Sequence, residues 1–205
     1  MKVKSYISAI LVVVALTVPG ALAQHPAGHG DMGKKGQDTK MADVPYDLRY
    51  IDMMIEYHQM GINIAKMAQN QTSHTELKNH ATKMIEDQQK DEDQLKKWRD
   101  EWYAGKPKSD HKNMPGMKMP QMDMGKLQAA SGNNFDVTFI DISAPHHQMA
   151  IDMSKDALKK AQHAPLKIFA RTTIRKQQKE KAQLSKWRAA WGKGAPAMKE
   201  HKMKP

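Results

Sequence analysis

Between Phe139 and Ala157 the chain reads FIDISAPHHQMAIDMSKDA, which sets His146 and His147 side by side and follows them with Met149 and Met153. At about 100° per residue on a helix, His146, Met149 and Met153 fall within a sector of ~60°, so one imidazole and two thioethers converge on a small patch. His147 lies on the adjoining part of the apolar arc, with Ala144 and Ile151. Thioether sulfur is soft, uncharged at every pH and unable to form disulfides, and imidazole is a borderline ligand. The combination suits Cu(I), with Ag(I) as its mimic and Cu(II) as the other oxidation state to consider; it suits Zn less, and Mg or Ca hardly at all. Buried without partners, the nitrogens of such a pair would cost about 1–3 kcal/mol each, a cost that ligation removes.

The rest of the chain repeats these residue types. It holds 17 methionines and 10 histidines but no cysteine, which excludes disulfides and thiolate metal sites. In an oxidising compartment methionine can take over the role of cysteine, at the risk of oxidation to the sulfoxide. An earlier stretch, YIDMMIEYHQMGINIAKMA, places His58 four residues after Met54, with Met53 and Met60 nearby, and His80 and Met84 form a further pair at the same spacing. Met114, Met117, Met119, Met122 and Met124 crowd a segment next to His111, while His25, His29 and Met32 lie near one end and Met198, His201 and Met203 near the other. Short clusters of this kind can wrap a soft cation without a preformed site. Their binding is weak and exchangeable, because ordering them costs entropy. Methionine at helical spacing is also flexible core filler, a role that fits Met53, Met67 and Met84, and a histidine such as His58 on an apolar stripe fits a core role as well.

The elements that must position these groups come from a duplication. Residues 47–105 align without gaps on 136–194 at a constant offset of 89, pairing Asp52 with Asp141, His58 with His147, His74 with His163, Trp98 with Trp187 and Trp102 with Trp191. In the first copy Ile51, Ile55, His58, Ile62 and Ala65 follow one helical face, and Asp52, Glu56, Gln59, Asn63 and Lys66 the other. Ser73-His74-Thr75-Glu76 predicts a capping box opening a second helix, Ala164-Pro165 predicts the matching start in the second copy, and Gly105 and Gly194 are the expected stops after the tryptophan pairs. His74 and His163 then sit at hairpin turns, where an exposed histidine has no special role, and the tryptophans are expected to pack the bundle ends. Pro145 removes a donor to Asp141 and predicts a kink just before the histidine pair. Two hairpins give an all-α fold, a four-helix bundle burying the four stripes together.

The expected organisation is a leader over 1–23, a flexible His/Met tail over 24–43, hairpins over 44–105 and 133–194, a Met-rich connector over 106–132 that faces no core, and a second flexible tail over 195–205. The leader combines Lys2 and Lys4, an apolar run from Ile7 to Val18, and Ala21-Leu22-Ala23 as a cleavage site. The run is too short for a permanent anchor, which takes ~20 residues, so the processed chain is expected to start near Gln24 in the periplasm or outside the cell. The formal charge of +11 loses two with the leader and stays basic. Its lysines are interspersed with carboxylates, which argues for a solvated surface and against nucleic-acid binding.

An enzyme's constellations are missing: Glu76 and His80 are one residue too far apart for the Glu-x-x-His of di-iron bundles, and there is no Cys-x-x-Cys-His for covalent haem. A haem-binding electron-transfer bundle with Met and His axial ligands, and a metal-free helical protein that binds an anionic partner, stay open on the residues alone.

The two segments carrying I-D-x(5)-H-Q-M, each followed by a helix ending in KWR, resemble the bacterial domain-of-unknown-function family 305, and the tandem arrangement with a Met-rich connector is similar to its exported copper-binding members. The resemblance implies a ferritin-like four-helix fold and periplasmic sequestration of Cu(I) in copper tolerance, with a copper exporter or another periplasmic metal-handling protein as partner. The motif positions it points to are His146, His147 and Met153. The first copy departs from the pattern, with Tyr57 in place of the first histidine and Ile64 in place of the methionine, so that a site there would need Met53, Met54 or Met60.

Overall fold

The computed structural model describes residues 44–109 and 122–193. Four long helices, α1 (Tyr46–Gln71), α2 (Thr75–Tyr103), α4 (Gly132–Lys160) and α5 (Ala164–Trp191), form a four-helix bundle, and the short α3 (Met124–Ala129) precedes the second hairpin. His25, His29, Met32, Met114, Met117, Met119, Met198, His201 and Met203 lie outside the described residues, as do His111 and Gly194.

Local signals place most of the boundaries. Pro165 opens α5 as expected, Gly105 takes up a φ of 71° after α2, and α5 stops at Gly192, whose N–H donates to the Arg188 carbonyl at 2.9 Å. The capping box at the first turn does not form. The N-cap of α2 is His74, which moves Ser73 outside the helix and Glu76 to the second helical position, and the Thr72 hydroxyl instead accepts from the His74 N–H at 3.1 Å. α4 continues through Pro145 to Lys160, with the proline on its exposed side.

Each hairpin packs along its length, and the two meet through α1 and α4. Tyr50, Met53, Met54 and Tyr57 from the first half of α1 share a core with Ala150, Met153 and Ala157 from the last half of α4. Ile64, Ala65 and Ala68 from the end of α1 share the other with Phe135, Phe139 and Ile142 from the start of α4. The two helices are therefore antiparallel, and the duplicated hairpins are related by an approximate two-fold. The axis passes where a residue meets its own equivalent, and Tyr57 and His146, 89 apart, do so with ring centroids 3.8 Å apart.

Three pairs of repeat contacts hold this arrangement. Asp52 accepts from Arg99 Nε at 2.6 Å and Asp141 from Arg188 Nε at 2.6 Å, which accounts for the Asp of I-D and the Arg of KWR in both copies. Asp52 is not a solvated residue as its helical sector suggested: it is buried because Arg99 neutralises it and Ser109 donates to it through N–H at 2.8 Å and hydroxyl at 3.0 Å. At the bundle ends the turn histidines cross between hairpins. His163 stacks on Trp102 at 3.9 Å with Nδ1 at 2.7 Å from Asp47, and His74 stacks on Trp191 at 3.9 Å with Nε2 at 3.6 Å from Asp136. The expectation that these histidines have no role is thus corrected, since each docks one hairpin on the other.

The connector is also less loose than its composition suggested. Asp123 caps α3 by accepting from the Lys126 N–H at 2.8 Å, and Leu127 is fully buried. Met122 and Met124, expected to face no core, pack against the second cluster. Leu127, three residues after Met124, is a buried member of the same cluster.

The two latches differ in strength. Asp47 accepts from Gln162 N–H at 2.9 Å, His163 N–H at 2.9 Å and the His163 ring, whereas both oxygens of buried Asp136 lack hydrogen-bond partners. Asp47→Asn is therefore expected to lower unfolding free energy by about 1.5–3 kcal/mol in urea titration, and Asp136→Asn to change it by less than about 0.5 kcal/mol or to raise it.

Candidate metal centre

The antiparallel crossing of α1 and α4 puts His58, His146 and His147 at the waist of the bundle, all buried. His146 Nε2 lies 3.3 Å from the Tyr57 carbonyl oxygen. A carbonyl only accepts, so Nε2 carries the proton and the lone pair is on Nδ1, which has no partner. His58 shows the same logic with the nitrogens exchanged: Nδ1 donates to the Met54 carbonyl at 2.6 Å, and Nε2 is left without a hydrogen bond. Spending one ring N–H on a backbone carbonyl fixes tautomer and orientation and presents the other nitrogen, the arrangement found in metal-ligating histidines.

His147 has no hydrogen bond at either nitrogen, and its Nε2 lies 3.6 Å from Glu180 on α5. The equivalent contact in the other half runs from His58 Nε2 to Asp91 on α2 at 3.8 Å. Asp91 is engaged by Lys176 at 3.2 Å, so it does little for His58. Half-buried His80 lies edge-on to Trp187 at 5.3 Å, and its Nε2 is also unpartnered. Buried polar atoms are nearly always paired in folded proteins, and each exception costs about 1–3 kcal/mol, so this concentration of free imidazole nitrogen marks a site built for something other than stability.

Desolvation keeps these rings neutral. It pushes His146 down to about 3, His80 down to about 4, His147 well below its ordinary value and His58 in the same direction. The same burial, reinforced by Asp87, pushes Glu180 up to about 7. A neutral imidazole is the form that binds metal, so no proton has to be displaced at pH 7.

The sulfur ligands divide between the two cores. Met53, Met54 and Met153 are buried in the core that contains Tyr57, and Met149 packs against it, so Met149 and Met153 from α4 share that core with Met53 and Met54 from α1. Met60 and Met84 belong to the other core, with Met122 and Met124. Met60 is thus set apart from the methionines that share the Tyr57 core. Among the described residues no three His, Asp or Glu side chains converge on one point. A centre at the waist therefore has to be completed by thioether sulfur.

Tyr57 explains why the halves are unequal. Its ring covers His146 and its hydroxyl donates to Gln177 at 3.4 Å, so the first copy adds a lid to the second copy's histidine, and Ile64 goes to the second core. Because the motifs meet on the axis, Tyr57 has the His58 ring at 5.5 Å and the His146 ring at 3.8 Å, with the His147 ring 6.0 Å from that of His146, so the histidines of both copies gather in one region of the bundle. Asp91 and Glu180 were not singled out from the sequence, although the repeat keeps a carboxylate at that position in both copies. Gln88 and Gln177 are likewise buried equivalents, and Gln88 fits only because Gly61 has no Cβ to collide with its amide.

The pH dependence of the metal-free fold follows. Histidines with depressed folded values contribute stability that is present above their unfolded value near 6.5 and is lost as pH falls towards 4, at about 1.4 kcal/mol per pH unit for each. Glu180, raised, acts in the opposite sense between about 7 and its ordinary value of 4.5. Three or more histidines outweigh one carboxylate, so the urea midpoint is expected to fall between pH 7 and pH 5, and His147→Gln to flatten that slope.

Comparison with known proteins agrees with this architecture. The model for the family described as Domain of unknown function (DUF305) matches residues 21–99 and 47–188. The structure of CopM in the Cu(I)-bound form is 30% identical, matches over 71% of this chain and 96% of that one, and gives a TM-score of 0.61. CopM in the apo form is 31% identical over 71% and 97%, also at 0.61. A DUF305 protein from Streptomyces coelicolor, 22% identical over 76% and 96%, shares the fold at 0.66. No functionally curated protein sequence matches the chain. With the family model covering both hairpins and relatives at this identity, the chain belongs to the DUF305 family.

Proposed function

We propose that the protein is an exported, non-enzymatic copper carrier that holds Cu(I) at the waist of its bundle and buffers it or hands it on, contributing to copper tolerance. The observation that carries this reading is the set of buried, neutral imidazoles whose free nitrogens have no hydrogen-bond partner, next to a core that holds Met53, Met54, Met149 and Met153. CopM has been captured with Cu(I), Cu(II) and Ag bound, and the same range of ions is the cargo expected here. The residues we assign to the waist are His146, His147, Met149 and Met153, with His58, Met54 and Met53 from the first hairpin. His80 with Met84 is a secondary position, and Met60, Met122 and Met124 lie on the same side of the bundle as that pair. The tail and connector groups, His25, His29, Met32, Met114, Met117 and Met119, serve as a capture antenna.

No helix among the described residues is long and apolar enough to cross a membrane, and the leader-like N-terminal sequence supports export to the periplasm, where a copper exporter or another metal-handling protein is the natural partner. A haem bundle fits poorly because the ring of Tyr57 lies on His146 at 3.8 Å and takes the space a porphyrin face would need. A purely structural, partner-binding bundle leaves the unpaired imidazole nitrogens without an explanation.

Anaerobic Cu(I) titration against a chromogenic competitor tests the assignment. The processed protein is expected to form a colourless complex with one tight site in the bundle. Changing His146, His147 and Met153 together to alanine is expected to weaken that site by at least about 100-fold, since loss of outer-shell partners alone costs 10–100-fold. A protein lacking 110–121 should keep it. Unchanged tight binding in the triple variant would refute the site.

A further inference from the structure

The two hairpins share a scaffold, yet their second helices differ sharply in charge. α5 holds eight lysines and arginines against the single carboxylate of Glu180, whereas α2 holds six against eight carboxylates. Ile168, Arg171, Arg175, Lys179 and Lys186 follow one another along the outward face of α5, all exposed. Their spacing keeps them on one side of the helix for about 27 Å. The basic groups of α5 with partners on other helices, Lys176 with Asp91, Lys181 with Gln148 and Arg188 with Asp141, lie off this stripe. Ile168 is 62% exposed, the one large hydrophobic side chain so exposed among the described residues. Beside the stripe, α4 and α5 enclose a shallow groove with Leu158, Ile168 and Ile174 as its apolar floor and Arg171 and Arg175 on its rim.

The duplication supplies an internal control. The equivalent positions on α2 are Asn79, Thr82, Glu86, Lys90 and Lys97, also exposed but of mixed charge and without an apolar side chain. The scaffold folds with either surface, so the stripe on α5 is not a requirement of packing.

We infer that this face of α5 is a docking surface for an anionic lipid membrane, independent of the metal centre. Cations in a straight row on a convex helix can reach phosphate-bearing headgroups together, and the exposed isoleucine with its groove gains from entering the interfacial layer. An acidic polypeptide would satisfy the cations but would leave Ile168 in water. The surface holds the protein peripherally and reversibly, as a one-helix contact with no spanning segment does.

The test is co-sedimentation of the processed chain with vesicles of phosphatidylcholine alone or mixed with phosphatidylglycerol, at low and high salt. Binding is expected only to the anionic vesicles and to fall with salt. Each cation on such a surface changes partitioning about five-fold, so Arg171→Glu with Arg175→Glu is expected to weaken binding at least about twenty-fold. Lys90→Glu with Lys97→Glu on α2 makes the same change in net charge and should leave binding within about two-fold. Ile168→Ser should weaken vesicle binding several-fold and leave any binding of polyglutamate unchanged. Thermal melts confirm that these surface variants fold. No binding to anionic vesicles, or equal losses from the α2 and α5 reversals, would overturn the inference; so would tighter binding of polyglutamate than of vesicles, which would make the partner an acidic protein.

Discussion

The structure turns on the burial of uncharged imidazoles against a backbone that engages one nitrogen each of His58 and His146 and neither nitrogen of His147. In α1 the carbonyls of Met54 and Tyr57 each take an N–H from a histidine ring, His58 in the same helix and His146 in the other hairpin. Each contact leaves a lone pair with nothing to accept. Placing such groups in a dry core destabilises the fold, and the same dryness keeps them unprotonated, which is the form in which imidazole binds a metal.

The remaining architecture offsets that cost. The bundle ends are tied by reciprocal latches in which a turn histidine from one hairpin stacks on a tryptophan of the other, and the hairpins are each closed by a short Asp–Arg pair. These contacts involve none of His58, His146 and His147, so the hairpins are held together without engaging the free imidazole nitrogens. The methionines add sulfur without adding polar atoms that would themselves need partners.

Much of this was legible in the sequence because the chain states it twice. The constant offset of 89 gave the hairpins, the paired tryptophans and the buried histidines, and hydrophobic periodicity gave the helices. What escaped was the consequence of folding one copy on the other. Asp52 sits on a polar helical sector yet is buried, since its arginine partner is 47 residues away. His74 and His163 looked like exposed turn residues because their partners, Asp136 and Asp47, belong to the opposite hairpin. Met122 and Met124 have no periodic apolar neighbours in sequence, yet both pack against the core in which Leu127 is buried. The meeting of the two motifs was equally hidden: nothing in the spacing shows that Tyr57 of one copy stacks on His146, its equivalent in the other.

The most direct measurement of the central claim is X-ray absorption at the copper edge on the processed protein loaded anaerobically with one equivalent of Cu(I). A mixed first shell, with thioether sulfur and the multiple-scattering signature of imidazole, is the expected spectrum, and the imidazole component should vanish when His146 and His147 are replaced. A shell of sulfur alone in the unaltered protein would place the metal on methionines of the tails or connector and would contradict a centre at the waist of the bundle.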